Sequence, residues 1–240
     1  MEGSVLCIAE KDRLSVRLNR PDKMNAVDLA MICRLTEIVR DADHDTGIIV
    51  IEGNGPRAFC AGSDLKELGA GTETRQSVFD ALVSLASHLS TCRVPIVASI
   101  HGYTLGSGVL IAAMADVVVA SSDLRYGVPE IRHGMYPALV HAALTNRISN
   151  VVAWDLCASA RLLGAQEAQN YGLVTDIVPH QDDAALAERL DFYARNAGLL
   201  NIGRRYRRTF AANDLTRRIS LTSDLERSFG SHAVEPVWPL

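Results

Sequence analysis

The chain carries a glycine-bearing turn at Phe59-Cys60-Ala61-Gly62-Ser63-Asp64-Leu65 and a second one at His101-Gly102-Tyr103-Thr104-Leu105-Gly106-Ser107-Gly108. Each turn follows an apolar, strand-like run. Small residues there allow the backbone to approach a ligand closely and to turn its N–H groups toward it. If the two turns converge, they supply two donors for a developing oxyanion. Either turn alone could simply pack a strand against a helix, but the pair, followed by Tyr126-Gly127-Val128-Pro129-Glu130, favours a site.

Apolar periodicity around these turns predicts alternating strands and helices. The predicted strands are Val5–Ala9, Leu14–Leu18, Gly47–Ile51, Val94–Ile100, Val117–Ala120 and one late strand in Gly172–Pro179. The predicted helices are one capped by Asp28, then Gln76–Leu89, Gly108–Met114, Asp182–Ala197 and Asp214–Phe229. Strand–helix–strand order favours parallel pairing. We therefore expect an α/β core over residues 1–180, helical from about Ala142, followed by a helical region over residues 181–240.

Composition narrows the classes of function. The 240 residues are 48% hydrophobic and 22% charged, which is typical of a soluble globular protein. A net charge of -4 argues against nucleic-acid binding, and the basic cluster Arg204–Arg208 fits a solvated helix face better than a phosphate contact. The longest apolar run, Val109–Ala120, is too short to span a membrane. Five scattered cysteines and no visible secretory signal predict a cytoplasmic protein with reduced thiols, and no grouping of ligating side chains suggests a metal.

Taken together, the motifs resemble the crotonase superfamily, the enoyl-CoA hydratase/isomerase group. The resemblance rests on the order of Leu18-Asn19-Arg20-Pro21, Met24-Asn25-Ala26, Ala58–Leu65, His101-Gly102-Tyr103, Gly127-Val128-Pro129-Glu130 and Ala165–Pro179. It implies a spiral of ββα units, a coenzyme A thioester as substrate with no other cofactor, and a homotrimer or a hexamer of two trimers. The helical region after Ala142 would supply the contacts between subunits.

The chemistry that this resemblance implies begins with loss of a proton beside a thioester carbonyl, which produces an enolate. Preorganised backbone N–H groups stabilise such a charge, and by resemblance they are those of Ser63 and Ser107. Gly108 is expected to open a helix whose positive end adds to the field. Glu130 is the candidate general base, because burial would raise its pKa toward neutrality. Alternatively, Glu130 only complements a helix dipole.

The resemblance also assigns residues around these groups. The expected substrate-binding residues are Ala61, Gly62, Asp64, Leu65, Gly106, Gly108, Leu110, His133 and Ala138. Asp64 is expected to fix the first turn rather than to react. The expected CoA-binding residues are Lys23, Met24, Ala26, Arg57 and Lys66. The basic members of this second set could equally be solvated surface charges.

Two departures from the family pattern decide between reactions. Leu110 stands where hydratases carry a second glutamate, and Pro137-Ala138-Leu139-Val140 replaces a glycine-rich segment. A drier pocket with one carboxylate suits the transfer of one proton, as in Δ3,Δ2-enoyl-CoA isomerases. The alternatives are a hydratase or another crotonase-type lyase or hydrolase, with His133 as second group, and a non-catalytic acyl-CoA-binding subunit.

Two further departures from the family pattern concern the expected oxyanion-binding site and the end of the chain. In the family, the second glycine-bearing turn usually contains a glycine triplet. Here the triplet is Gly106-Ser107-Gly108, and the side chain of Ser107 at its middle position narrows the site. In the family, a C-terminal helix usually closes over the acyl-CoA site as a lid. Residues 231–240 include Pro236 and Pro239, which do not favour a helix, so we expect a shortened lid.

Overall fold

The computed structural model describes residues 3–10, 12–43 and 46–204. Three expectations lie outside these residues: the helix over Asp214–Phe229, the basic cluster after Arg204, and the shortened lid. In the described ranges, no helix has both the length and the apolar character needed to cross a membrane.

The first sheet has six strands, in the order β1-β2-β3-β5-β7-β10. They are β1 (Val5–Glu10), β2 (Arg13–Leu18), β3 (Ile48–Gly53), β5 (Ile96–Ile100), β7 (Val117–Ser121) and β10 (Asp176–Val178). Only β1 and β2 pair antiparallel, and every other pair in this sheet is parallel. The strand–helix–strand pattern therefore predicted the pairing direction correctly.

A second sheet of four strands, in the order β4-β6-β8-β9, was not predicted. Its members are β4 (Ala58–Cys60), β6 (Tyr103–Leu105), β8 (Arg125–Gly127) and β9 (Leu162–Leu163). Two or three residues are too few for period-2 alternation to be visible in the sequence. The strands β4, β6 and β8 each follow a strand of the first sheet after a short loop, so the predicted spiral of strand–strand–helix units is confirmed.

Eight α-helices that both begin and end within the described residues connect and cover these strands. They are α1 (Leu29–Asp41), α2 (Leu65–Leu68), α3 (Thr72–Thr91), α4 (Ser107–Met114), α5 (Ala138–Leu144), α6 (Asn150–Ser159), α7 (Ala165–Asn170) and α8 (Asp183–Arg195). Residues 197–204 are also helical. Asp28 caps α1 as predicted, because its carboxylate accepts a hydrogen bond from the N–H of Met31 at 3.0 Å.

Three boundaries differ from the sequence prediction. The helix α4 begins at Ser107 rather than at Gly108. The helical region begins at Ala138, directly after Pro137, rather than at about Ala142. The late strand covers only Asp176–Val178 instead of Gly172–Pro179, because Gly172 has a φ of +85° and forms a turn.

The central strands β3, β5 and β7 of the first sheet are buried on both faces, which explains their continuous apolar runs. One face packs on the main core, to which Ile49 and Ile96 belong. The opposite face, with Ile48 and Val97, packs on α8. The helix α4 lies inside the main core, and all eight of its residues are buried.

Candidate active site

The two glycine-bearing turns converge. The strands β4 and β6 are parallel neighbours, so the segments that leave their carboxyl ends emerge side by side. The hydroxyl oxygens of Ser63 and Ser107 lie 2.6 Å apart. Backbone hydrogen bonds fix the first turn, since the N–H of Val27 donates to the carbonyl of Gly62 at 2.9 Å.

Gly108 makes this approach possible. A Cβ atom at position 108 would lie 2.5 Å from the carbonyl oxygen of Cys60, at the end of β4. No side chain fits there without a shift of backbone. The glycine thus packs the first turn of α4 against the strand, and this packing brings Ser107 to Ser63.

The backbone N–H groups of both serines can serve an external acceptor. The Ser107 amide belongs to the first turn of α4, where N–H groups have no acceptor within the helix. Among residues 3–10, 12–43 and 46–204, no hydrogen bond uses the N–H of Ser63 or that of Ser107. The positive end of α4 adds a favourable field for an anion at this point.

Glu130 lies beside the same turns, at the start of a 3₁₀ turn over Glu130–His133 that follows β8. The N–H of Gly106 donates to the carbonyl of Gly127 at 3.2 Å, which ties the second turn to the end of β8. Oε1 of Glu130 would be 2.7 Å from a Cβ atom at position 106, and the Cα of Gly62 would be 3.6 Å from it. The carboxyl group therefore lies against the second turn at Gly106, and Gly62 of the first turn approaches the same point.

Burial changes the acidity of this carboxyl group. The residue as a whole is only partly buried, but Oε2 is inaccessible to solvent and has no hydrogen-bond partner within the described residues. Burial raises the pKa of Glu130 to about 7, although a hydrogen bond from its own N–H opposes the shift. A carboxylic acid with that pKa can exchange a proton in both directions near neutral pH.

Apolar side chains occupy the positions that the resemblance assigns to a second carboxylate and to a glycine-rich segment. Leu110, at the position that the resemblance assigns to a second glutamate, is 1% exposed, and Ala138, Leu139 and Val140 are also buried. His133 is buried at the last position of the 3₁₀ turn. Residues three apart in a 3₁₀ turn eclipse each other, so His133 and Glu130 lie on the same side of the turn.

Sequence reasoning missed Cys157. This buried residue of α6 has a thiol whose pKa is raised to about 12, first by burial and then by the negative charge of Glu130. The thiol is therefore neutral and belongs to the environment of the carboxyl group. No local motif marks it, because α6 reaches the site only through tertiary packing.

Asp64 holds the first turn in place through several partners. Its Oδ2 accepts from Nη2 of Arg20 at 2.8 Å, and its Oδ1 accepts from the N–H of Lys66 at 3.0 Å. Arg20 also pairs with Asp28 at 3.0 Å. Burial opposes the charge on Asp64 most strongly, but these hydrogen bonds and the charge of Lys23 outweigh it and lower the pKa of the carboxyl group. This arrangement accords with the expected supporting role of Asp64.

Replacing Asp64 with Asn should lower the free energy of unfolding at pH 7 by about 1–3 kcal/mol. The change removes one of the two negative charges that pair with the partly buried guanidinium of Arg20. Since the folded-state pKa of Asp64 is lowered, its contribution is present above its ordinary pKa and disappears as pH falls through the lowered value. Urea unfolding at pH 7 and at pH 3 measures both effects. The exposed Asp22→Asn variant is the control, and equal stability of the two variants would contradict the prediction.

The predicted CoA-binding residues gather at the outer side of the first turn. Nη2 of Arg57 donates to the carbonyls of Pro21 and Asp22 at 3.1 and 3.2 Å. The ammonium group of Lys23 lies 3.5 Å from Asp64, and Lys66 is exposed next to it. Met24 and Ala26, also predicted to bind CoA, contribute backbone carbonyls to the same region. The carbonyl of Met24 accepts from the N–H of Ala61, and that of Ala26 accepts from the guanidinium of Arg20.

A separate cavity of about 240 Å³ opens at the carboxyl ends of β3, β5, β7 and β10. Its polar lining includes Glu52, Ser99, His101, Ser121 and His180. None of the residues predicted for the active site or for CoA binding lines this cavity. The two glycine-bearing turns and Glu130 come after strands of the second sheet, whereas the cavity lies at the ends of strands of the first sheet. Within the described ranges, no three His, Cys, Asp or Glu side chains converge in a way that could hold a metal ion.

Comparison with known proteins places these features in a family. The model of the enoyl-CoA hydratase/isomerase family matches residues 10–231. A Mycobacterium leprae protein named "probable enoyl-CoA hydratase" is 36% identical over 171 residues, which cover 70% of this chain and 65% of the relative, just under two thirds of its length. The 2,3-dehydroadipyl-CoA hydratase of Escherichia coli K12 is 37% identical over 183 residues, which cover 73% of this chain and 70% of that protein.

A solved structure shows the same fold. The crystal structure of an enoyl-CoA hydratase from Mycobacterium avium subsp. paratuberculosis superposes with a TM-score of 0.84 at 21% identity, covering 96% of this chain and 91% of that one. At this identity the likeness concerns the fold alone. It agrees with the two-sheet spiral described above.

Proposed function

The chain belongs to the enoyl-CoA hydratase/isomerase family, and we propose that it is an enoyl-CoA isomerase that moves one proton between C2 and C4 of a thioester. The observation that carries this proposal is the buried carboxyl group of Glu130 beside the point where the two glycine-bearing turns meet. Leu110 occupies the position at which a hydratase would place its second carboxylate. One proton-transfer group is sufficient for isomerisation.

In the proposed reaction, the thioester oxygen of a 3-enoyl-CoA accepts hydrogen bonds from the N–H groups of Ser63 and Ser107. Glu130 removes a proton from C2, and the electron pair of the C–H bond delocalises onto the thioester oxygen as a dienolate. The same carboxylic acid then returns the proton to C4, and the double bond moves to C2–C3. No proton or electron is gained or lost overall. The two N–H groups act mainly on the dienolate, where the charge on oxygen is greatest.

The apolar surroundings support this assignment. Leu110, Leu139 and Val140, at positions that the resemblance assigns to the pocket, are buried and carry no group that could hold or activate a water molecule. Excluding water strengthens the hydrogen bonds to the developing charge and suppresses competing addition of water to the product.

The pH dependence follows from the acidity of Glu130. Proton removal requires the carboxylate form, and the pKa of Glu130 is raised to about 7. We expect kcat/KM to rise about tenfold per pH unit below pH 7 and to level off above it. Initial rates of isomerisation measured from pH 5 to pH 9 test this. A rate that stays constant down to pH 5 would rule out Glu130 as a base with this acidity.

The test of the reaction itself compares two substrates. A 3-enoyl-CoA should yield the 2-trans-enoyl-CoA, and crotonyl-CoA should gain little or no water. Exchange of the C2 protons of acyl-CoA esters in deuterated water detects enolate formation without presuming a product. Absence of both isomerisation and exchange over a range of chain lengths, in folded protein, would overturn the proposal.

Hydration is the second candidate, and the names of both curated relatives favour it. A hydratase would need a further group to activate water, and His133 is the candidate because of its position on the 3₁₀ turn. Rapid addition of water to crotonyl-CoA would select this alternative. Hydration that survives in a Glu130→Gln variant would assign the base role to another residue.

A non-catalytic acyl-CoA-binding subunit is the third candidate. Its distinguishing result is tight binding of CoA thioesters without exchange at C2. For any of the three functions we propose Lys23, Arg57 and Lys66 as contacts for the phosphates of CoA, because they are exposed on one side of the first turn. We also propose a homotrimer or a hexamer, which light scattering of the purified chain would distinguish from a monomer.

A further inference from the structure

The hydroxyl groups of Ser63 and Ser107 form a pair inside the proposed oxyanion hole. Their oxygens are 2.6 Å apart, at the short end of the range for O–H···O hydrogen bonds. Both residues are more than half buried, and within the described residues neither hydroxyl has another hydrogen-bond partner. The pair therefore joins the two residues whose backbone N–H groups are proposed to bind the substrate oxygen.

A count of hydrogens shows what this pair can offer. Two hydroxyl groups carry two hydrogens, and one of them is shared between the oxygens. The hydroxyl that accepts this bond keeps its own hydrogen, which can rotate toward a further acceptor. Accepting a hydrogen bond also polarises that group and makes it a stronger donor.

We propose that the Ser63–Ser107 pair supplies this remaining hydrogen as a third donor to the thioester oxygen, next to the two backbone N–H groups. The inference rests on the proposed enolate chemistry and assigns the hydroxyl groups a part in it. Because a hydrogen bond to a charged oxygen is stronger than one to a neutral carbonyl, the third donor acts mainly on the enolate. Its loss should therefore lower kcat more than it raises KM.

The competing interpretation is that the pair only clamps the two turns together. A double-mutant cycle separates the two roles. In the single variants Ser63→Ala and Ser107→Ala the clamp is broken, but one hydroxyl remains next to the hole and can still donate. In the double variant both the clamp and the third donor are lost.

The experiment measures kcat and KM for C2 proton exchange of an acyl-CoA in deuterated water with the full chain, its two single variants and the double variant. Ser77→Ala, on the exposed face of α3, is the matched control for loss of a hydroxyl group. We expect each single variant to lose less than about fivefold in kcat and the double variant to lose about 10- to 100-fold. A loss confined to one single variant and equalled by the double variant also supports a third donor and assigns it to that serine.

Two results would overturn the inference. If both single variants lose as much as the double variant, the pair is a clamp. If the double variant exchanges protons as fast as the unmodified chain, the hydroxyl groups contribute nothing. Absence of both isomerisation and exchange in the unmodified chain would instead overturn the proposed function, so the two failures are distinguishable. Thermal unfolding of each variant verifies that the rates refer to folded protein.

Discussion

Replacing Glu130 with Gln is expected to reduce isomerisation and C2 proton exchange on the order of 10³-fold. Glutamine is nearly isosteric with glutamate but cannot take up the proton, and general acid–base groups contribute about 10²–10⁴-fold to such reactions. The effect should fall on kcat, with little change in the dissociation constant of a saturated acyl-CoA. Rates of exchange in deuterated water and equilibrium titration with the saturated ester measure the two quantities.

The same variant should be more stable than the unmodified chain at alkaline pH. The folded-state pKa of Glu130 is about 7, well above the ordinary value of 4.5. Between these values the folded protein binds more protons than the unfolded chain, so its stability falls as the pH rises through this window. Glutamine does not titrate, so this loss of stability is absent from the variant. The free energy of unfolding of Glu130→Gln should exceed that of the unmodified chain by about 1–3 kcal/mol at pH 8 and by much less at pH 5.

The matched control is Glu188→Gln, which makes the same chemical change on the exposed face of α8. It should alter neither the rate nor the pH dependence of stability in this way. If Glu130→Gln retained more than a tenth of the exchange rate, Glu130 would not be the base. If it were no more stable at pH 8, the carboxyl group would not be buried as the structure has it.

Replacing Gly106 with Ala is expected to reduce kcat/KM by about 100-fold, because it displaces the carboxyl group of Glu130, the proposed base. The new Cβ would lie 2.7 Å from Oε1 of Glu130 and 3.3 Å from its Cδ. Gly106 also has a φ of +49°, which L side chains rarely adopt. The base must therefore move, the second turn must distort, or both. Steady-state kinetics and the exchange assay measure the loss.

Gly172→Ala separates these two causes. Gly172 also has a positive φ, of +85°, but the nearest atom to a Cβ there is the carbonyl oxygen of Arg147 at 3.7 Å, an ordinary contact. This control should cost stability through backbone strain alone and leave the rate unchanged. An equal loss of activity in both variants would indicate a general effect of strain, and a fully active Gly106→Ala variant would show that the carboxyl group is not where the structure has it.

Several features of this protein could be predicted from single stretches of sequence. Asp28 was identified as a helix cap because capping depends on residues within one helical turn. The central strands β3, β5 and β7 were found because four or more consecutive apolar residues mark a strand buried on both faces. The family was identified from short motifs in a fixed order, and the matching family model confirms it.

Other features required the folded chain. The second sheet was missed because β4, β6 and β8 have three residues each, and they are stabilised by pairing with one another rather than by local preference. Cys157 carries no motif, and only packing of α6 brings it into the electrostatic surroundings of Glu130. The meeting of the two serine hydroxyls likewise depends on the absence of a side chain at Gly108, which lets α4 approach β4.

The sequence by itself determined which groups are candidates for chemistry: two glycine-bearing turns, Glu130, and Leu110 at the position that the family resemblance assigns to a second carboxylate. Only the tertiary structure decided what these groups can do, because acidity and hydrogen bonding depend on distance and burial. Parallel pairing of β4, β6 and β8 brings three segments that are distant in the chain to one place. Burial there raises the pKa of Glu130 to about 7, which no local pattern of residues could specify.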